Sequence, residues 1–120
     1  MDRPFQKRII LSDDVNRALE RVECFLNRSG FLVRVARSGE EVLELTRQEP
    51  PDVILMNYYL AGLKGDDVCR ALRSAPAGGR PVPLLVVGPD SPGEIEVRCR
   101  QAGCDEFIPS PAAPNLLLQR

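Results

Sequence analysis

The stretch Asp52-Val53-Ile54-Leu55-Met56-Asn57 decides the fold of this 120-residue chain. Its centre is an unbroken apolar run, preceded by Pro50-Pro51 and followed by a glycine-containing loop at 60–65. A run this short and this apolar predicts a strand buried on both faces, as at the centre of a parallel sheet. The polar Asn57 ends the run at the carboxyl edge of the predicted sheet, which is the edge where open α/β sheets build their sites.

Strands and helices alternate on both sides of this central strand. Four further strands are predicted at 7–12, 31–36, 83–87 and 106–108. Five successive β–α units are typical of a parallel sheet with helices on both faces. Right-handed crossovers then favour a flavodoxin-like, doubly wound, five-stranded sheet of order 2-1-3-4-5.

The helix boundaries follow from caps and apolar spacing. The first helix is predicted to begin at Asp13-Asp14 and to end at Gly30; its apolar stripe comprises Val15, Ala18, Leu19, Val22, Phe25 and Leu26. Capping-box patterns at Ser38–Glu41 and Ser91–Glu94 open the second and fourth helices, and the third follows Gly65. A fifth begins at 114–119, so we expect a single domain over 1–120 whose last helix is truncated at the C-terminus.

Composition excludes several functions. A net charge of −1 gives no electrostatic case for nucleic-acid binding, and no apolar run is long enough to span a membrane, so we expect a cytoplasmic protein. Histidine is absent, which removes the commonest general base. The four cysteines match no zinc or redox spacing; Cys24, Cys69 and Cys99 are predicted on the apolar faces of helices.

Three segments together resemble the receiver domain of bacterial response regulators, the family of the chemotaxis regulators. They are Ile9-Ile10-Leu11-Ser12-Asp13-Asp14, Pro51 through Asn57 with Gly65 eight residues on, and Gly103 through Pro111. The resemblance implies a phosphoacceptor aspartate at the end of the third strand, with Mg²⁺ on an acidic pair. It also implies a hydroxyl residue after the fourth strand, a lysine after the fifth, and an aromatic residue that rotates inward on activation.

Carried over residue by residue, the acidic pair is Asp13 and Asp14, but three other positions are replaced. Asn57 stands at the phosphoacceptor position, Gly88 at the hydroxyl position and Ser110 at the lysine position. The aromatic position is Phe107, and Pro111 follows the lysine position.

These replacements predict that phosphotransfer is lost. The amide of Asn57 is neutral and is not the anionic oxygen nucleophile that attacks phosphorus. Loss of one carboxylate also weakens any attraction for Mg²⁺. No cofactor is therefore expected beyond weak Mg²⁺ at Asp13 and Asp14, which are otherwise a helix cap and a solvated pair.

The leading prediction is a non-enzymatic, phosphorylation-independent pseudo-receiver of a bacterial two-component or related pathway, which acts through protein contacts. Its expected surface for a protein partner or homodimer is the face of helix four, strand five and helix five, with residues 94–101, Phe107 and residues 109–114. The alternative is sensing of a divalent cation or small ligand at the residual acidic crevice. A conventional phospho-switch ranks last. Asn57 also has a structural interpretation, in which its side chain forms a hydrogen bond to its own loop. The segment after it, Tyr58-Tyr59-Leu60, is predicted either to pack within the loop or to form part of a partner surface.

Overall fold

A computed structural model of the chain describes residues 6–13, 17, 19–74, 81–89 and 93–109. Five strands alternate with four helices in this part of the chain. The strands are β1 (Arg8–Ser12), β2 (Leu32–Ala36), β3 (Val53–Asn57), β4 (Leu84–Gly88) and β5 (Glu106–Pro109). The helices are α1 (Glu20–Arg28), α2 (Gly39–Gln48), α3 (Gly65–Ser74) and α4 (Gly93–Ala102). The predicted fifth helix lies outside the described residues, as does its truncation at residue 120.

The five strands form one sheet, in which every neighbouring pair is parallel and the order is β2-β1-β3-β4-β5. The predicted order is therefore confirmed. The predicted central strand is β3, and its residues Ile54 and Met56 have no exposed surface. An apolar run at the centre of a parallel sheet is buried because helices cover both faces.

The two faces of the sheet carry separate hydrophobic clusters. The larger cluster joins the sheet to α2, α3 and α4, and it includes Ile10, Ile54, Val68, Cys99 and Phe107. The smaller one packs β-strand residues such as Leu11 and Val87 against Leu19 and Val22 at α1. This is the expected doubly wound arrangement, with helices on both faces.

Helix α1 differs from its prediction. It begins at Glu20 and not at the aspartates. Two residues that were placed in the core are also exposed, namely Cys24 and Phe25, the latter at 48%. The buried stripe is narrower than predicted, because Val22 and Leu26 face the sheet and 100° per residue puts Cys24 on the opposite side of the helix.

Other local predictions are confirmed. Oγ of Ser38 accepts the N–H of Glu41 at 3.1 Å, which is the predicted cap of α2, and the Glu41 carboxylate reaches back to accept the N–H of Arg37, one residue before the cap, at 2.5 Å. Gly30 follows α1 with φ of 94°, a conformation that glycine adopts without strain. No helix in the described part of the chain has the length and apolar character needed to cross a membrane.

Candidate functional site at the carboxyl edge of the sheet

The parallel register brings the predicted site residues to one edge of the sheet. Ser12 pairs with Met56, and Asn57 pairs with Val87, so Asp13, Asn57 and Gly88 each stand at the carboxyl end of adjacent strands. Gly88 in turn pairs with Pro109 of β5. The predicted residues Asp14, Ser110 and Pro111 lie outside the described residues.

The side chain of Asn57 is buried and bonded to its own loop. It is 6% exposed, and its Oδ1 accepts the backbone N–H of Tyr59 at 3.0 Å. This contact is an Asx turn, a local motif in which an Asn or Asp side chain satisfies the backbone two residues on. The structural interpretation of Asn57 is therefore realised, and the amide oxygen is engaged within the loop.

Asp13 also makes a structural contact. One oxygen of its half-buried carboxylate accepts the backbone N–H of Leu19 at 2.7 Å, immediately before α1. An acceptor at this place satisfies one of the donors that a helix start leaves unpaired. The contact differs from the predicted cap, because the cap position of α1 is Leu19, which has no side-chain cap hydrogen bond, and Asp13 bonds to the N–H of Leu19 itself.

Gly88 and Phe107 share one space. A Cβ built on Gly88 would come within 2.8 Å of Cε1 of Phe107 and closer still to its Cζ, distances that real side chains do not show. The ring of Phe107 is 2% exposed and packs in the larger core cluster. The ring therefore fills the volume in which a side chain at position 88 would stand, and the prediction that Phe107 is a buried core ring is confirmed.

The loop after Asn57 is held by hydrogen bonds to three other elements, β4, α3 and α4. The N–H of Tyr58 donates to the carbonyl of Val87 at 2.7 Å, and its carbonyl accepts the N–H of Gly65 at 3.0 Å. Its hydroxyl accepts from Arg98 of α4 at 3.0 Å. Burial raises the pKa of Tyr58, and Asp66 raises it further, so the hydroxyl stays protonated. The aromatic pair Tyr58-Tyr59 was the only sequence signal for this contact.

A cavity of about 530 Å³ opens beside Asp13. Its lining includes two cationic residues, Arg17 and Arg37, as well as the acidic Asp13 and Glu23. Mixed charge of this kind does not favour a cation, which binds where oxygen ligands converge.

Only one residue of the predicted Mg²⁺ pair, Asp13, lies among the described residues. These residues include no group of three or more Asp, Glu, His or Cys side chains placed to hold a metal ion. Of the oxygens at this edge, one from Asp13 is bonded to Leu19 and that of Asn57 is a neutral amide oxygen bonded to Tyr59. Mg²⁺ is held best by carboxylates in octahedral geometry, and Asp13 is the one carboxylate that the described residues place at the carboxyl ends of β1, β3 and β4.

Comparison with known proteins agrees with the fold. The model of the response regulator receiver domain family matches residues 9–120. Response regulator MprA of Mycolicibacterium vanbaalenii is 33% identical over 113 residues, which cover 94% of this chain and 48% of that protein. The chain thus spans about half the length of such relatives.

Two solved structures share the fold. Chemotaxis response regulator CheY4 of Vibrio cholerae superimposes with a TM-score of 0.81 at 21% identity, covering 95% of this chain and 94% of that one. The receiver domain of sensor histidine kinase PA1611 from Pseudomonas aeruginosa, solved with magnesium in its active site cleft, gives 0.80 at 24% identity, covering 95% and 93%.

The chain belongs to the response regulator receiver domain family. It is a receiver domain of two-component signalling, and such domains are typically signalling modules that interact with other proteins.

Proposed function

We propose that this receiver domain signals through protein contacts without being phosphorylated. The observation that carries the proposal is Asn57 at the end of β3, with its amide oxygen closing an Asx turn onto Tyr59. An amide has no anionic oxygen to attack phosphorus, so the position that the family uses as phosphoacceptor has no nucleophile.

The surroundings of Asn57 support the same proposal. Gly88 has no hydroxyl, and the ring of Phe107 leaves no room for a side chain there. An incoming phosphoryl group would therefore lack a hydroxyl partner at this strand end. Asn57 and Gly88 both remove groups that phosphorylation in the family requires.

The described part of the proposed partner face is formed by α4 and β5. Glu96 pairs with Arg100 at 2.8 Å, Arg100 approaches Glu106 of β5 at 3.6 Å, and Val97 beside them is 52% exposed. An exposed aliphatic residue within a strip of alternating charge suits a partner or second copy with complementary charges. Phe107, which was predicted to belong to this face, is buried and does not contribute contact area. Residues 110–114 of the predicted face lie outside the described residues.

The experiment measures phosphorylation and association in the same samples. The chain is incubated with acetyl phosphate and Mg²⁺, its intact mass is recorded, and its sedimentation coefficient is measured over a range of concentrations. A phosphorylation-competent receiver is the positive control for the donor. We expect unchanged mass and donor-independent sedimentation, because no carboxylate stands at the acceptor position.

The variant Asn57→Asp is the matched control within the chain. It restores the nucleophile and leaves Gly88 unchanged, so a phosphoryl adduct on the variant alone would assign the loss to the amide. A phosphoryl adduct on the native chain, or association that depends on the donor, would contradict the proposal.

The alternative function, cation sensing at Asp13 and Asp14, is tested by titrating Mg²⁺ while amide NMR spectra are recorded. We expect no saturable shifts near Asp13, because the described oxygens there are few and already bonded. Saturable shifts that disappear in Asp13→Lys would favour cation sensing over the proposed function.

A further inference from the structure

Tyr58 lies where four elements meet, directly after Asn57. Its backbone is hydrogen-bonded to Val87 of β4 and to Gly65, the first residue of α3. The space around it is small, since a Cβ on Gly65 would lie 3.2 Å from Cα of Tyr58. The backbone of Tyr58 therefore has little freedom to move relative to β4 and α3.

The side chain of Tyr58 extends this fixed point to α4. It is 6% exposed, and its hydroxyl accepts a hydrogen bond from the Arg98 guanidinium at 3.0 Å. Hydrogen bonds from a charged donor are stronger than those between neutral groups. The loop after β3 and helix α4 are thus joined by a specific polar contact.

Helix α4 has a weak apolar hold on the sheet. Its buried residues are Cys99 and Ala102, both small, and Ile95 is only partly buried. Because burial stabilises in proportion to apolar area, this stripe holds α4 less firmly than leucines or phenylalanines would. We therefore expect the hydrogen bond between Tyr58 and Arg98 to contribute to the position of α4 against the sheet.

The same tyrosine is reachable from outside through its neighbour. The ring of Tyr59 is 46% exposed and packs edge-on against the ring of Tyr58, with centroids 5.1 Å apart. Exposed aromatic rings are frequent anchors for binding partners. A displacement of the Tyr59 ring would act on the ring of Tyr58, whose hydroxyl accepts the hydrogen bond from Arg98.

We propose that Tyr58 is a positioning residue that couples the exposed ring of Tyr59 to α4, so that a displacement of that ring shifts the α4 surface. This inference rests on the proposed function in treating α4 as part of the partner face. It assigns the transmission to a buried tyrosine and an arginine, with no phosphoryl group involved.

The first test is a double-mutant cycle on the 120-residue chain, with hydrogen exchange of α4 amides as the readout. Tyr58→Phe removes only the hydroxyl, and Arg98→Met removes the donor. We expect each variant to raise exchange in α4 about tenfold or more, the effect of losing a hydrogen bond to a charged group. The double variant should exchange no faster than either single one, and exchange in α2 should stay unchanged.

The second test asks whether Tyr59 acts through Tyr58. Tyr59→Ala should shift the NMR signals of α4 in the native background but not in the Tyr58→Phe background, and Tyr59→Phe should leave them unchanged in both. Additive exchange in the cycle, an unaffected α4, or equal shifts from Tyr59→Ala in both backgrounds would overturn the inference. These measurements use no phosphodonor and no partner, so they can fail while the proposed function holds, and the reverse is also true.

Discussion

Gly88→Ala is expected to destabilise the domain, although glycine-to-alanine changes at compatible backbone positions usually stabilise by about 0.4–1 kcal/mol. The added Cβ would stand 2.8 Å from Cε1 of Phe107, whereas ordinary contacts lie at 3.4–4 Å. The ring would have to move by at least the difference between these distances. It is 2% exposed and surrounded by core residues, so the movement is resisted on all sides.

The expected magnitude follows from these two opposing effects. Overpacking of a close-packed core costs about 1–3 kcal/mol, which exceeds the gain from a less flexible unfolded chain. We therefore expect a net loss of about 1–2 kcal/mol in the free energy of unfolding. Urea denaturation monitored by circular dichroism measures it as a lower midpoint at an unchanged slope.

Phe107→Leu provides the control for this prediction. The smaller side chain frees space above Gly88, so Gly88→Ala should cost little or nothing when it is introduced into the Phe107→Leu protein. Such non-additivity is the sign of two residues that compete for one volume. If Gly88→Ala is equally costly in both backgrounds, or stabilises the native chain, the reasoning about the shared space is wrong.

Three further predictions concern the hydrogen bonds of Arg73, the accessibility of the thiols and the pH dependence of stability. Arg73→Ala should lower the free energy of unfolding, measured by urea denaturation, by about 2–3 kcal/mol, because Arg73 donates hydrogen bonds to the carbonyls of Gly103 and Val82 at 2.9 Å. Arg47 is exposed, so Arg47→Ala should change the free energy of unfolding by less than about 0.5 kcal/mol. A disulfide exchange reagent should modify Cys24 alone in the folded chain and all four cysteines in denaturant; fast modification of a second thiol without denaturant would contradict the burial of the others. Burial raises the pKa of Cys69 from 9.0 to about 12, so the unfolded chain loses this proton first and stability should fall as the pH rises between these values. The fall should be shallower in Cys69→Ala and unchanged in Cys24→Ser.

Much of the fold could be predicted from the sequence because its signals are local. The apolar run at β3, the capping motif at Ser38 and the glycine at position 30 each constrain their own segment, and alternation of strands with helices restricts the sheet to few topologies. The carboxyl-edge location of Asn57 followed from the same pattern.

The predictions that were wrong concern α1, where packing against the sheet determines which side chains are buried. Periodicity placed Phe25 in the apolar stripe of α1, but the area that the sheet offers to that helix is narrower than the stripe, and the ring is left half exposed. Cys24 was predicted on the apolar face of the first helix, although its position on α1 points it away from the sheet.

The class of protein follows from the order of residues along the chain, and so do the residue types at the carboxyl edge, an amide at position 57 and a glycine at position 88. The contacts that these two residues make depend on how the whole chain folds. The tertiary structure bonds Asn57 to Tyr59, fills the space above Gly88 with the ring of Phe107, and joins Tyr58 to Arg98 across 40 residues of chain. Such contacts form between side chains that come together only after the sheet has formed, and a local sequence pattern does not predict which distant residue will be the partner.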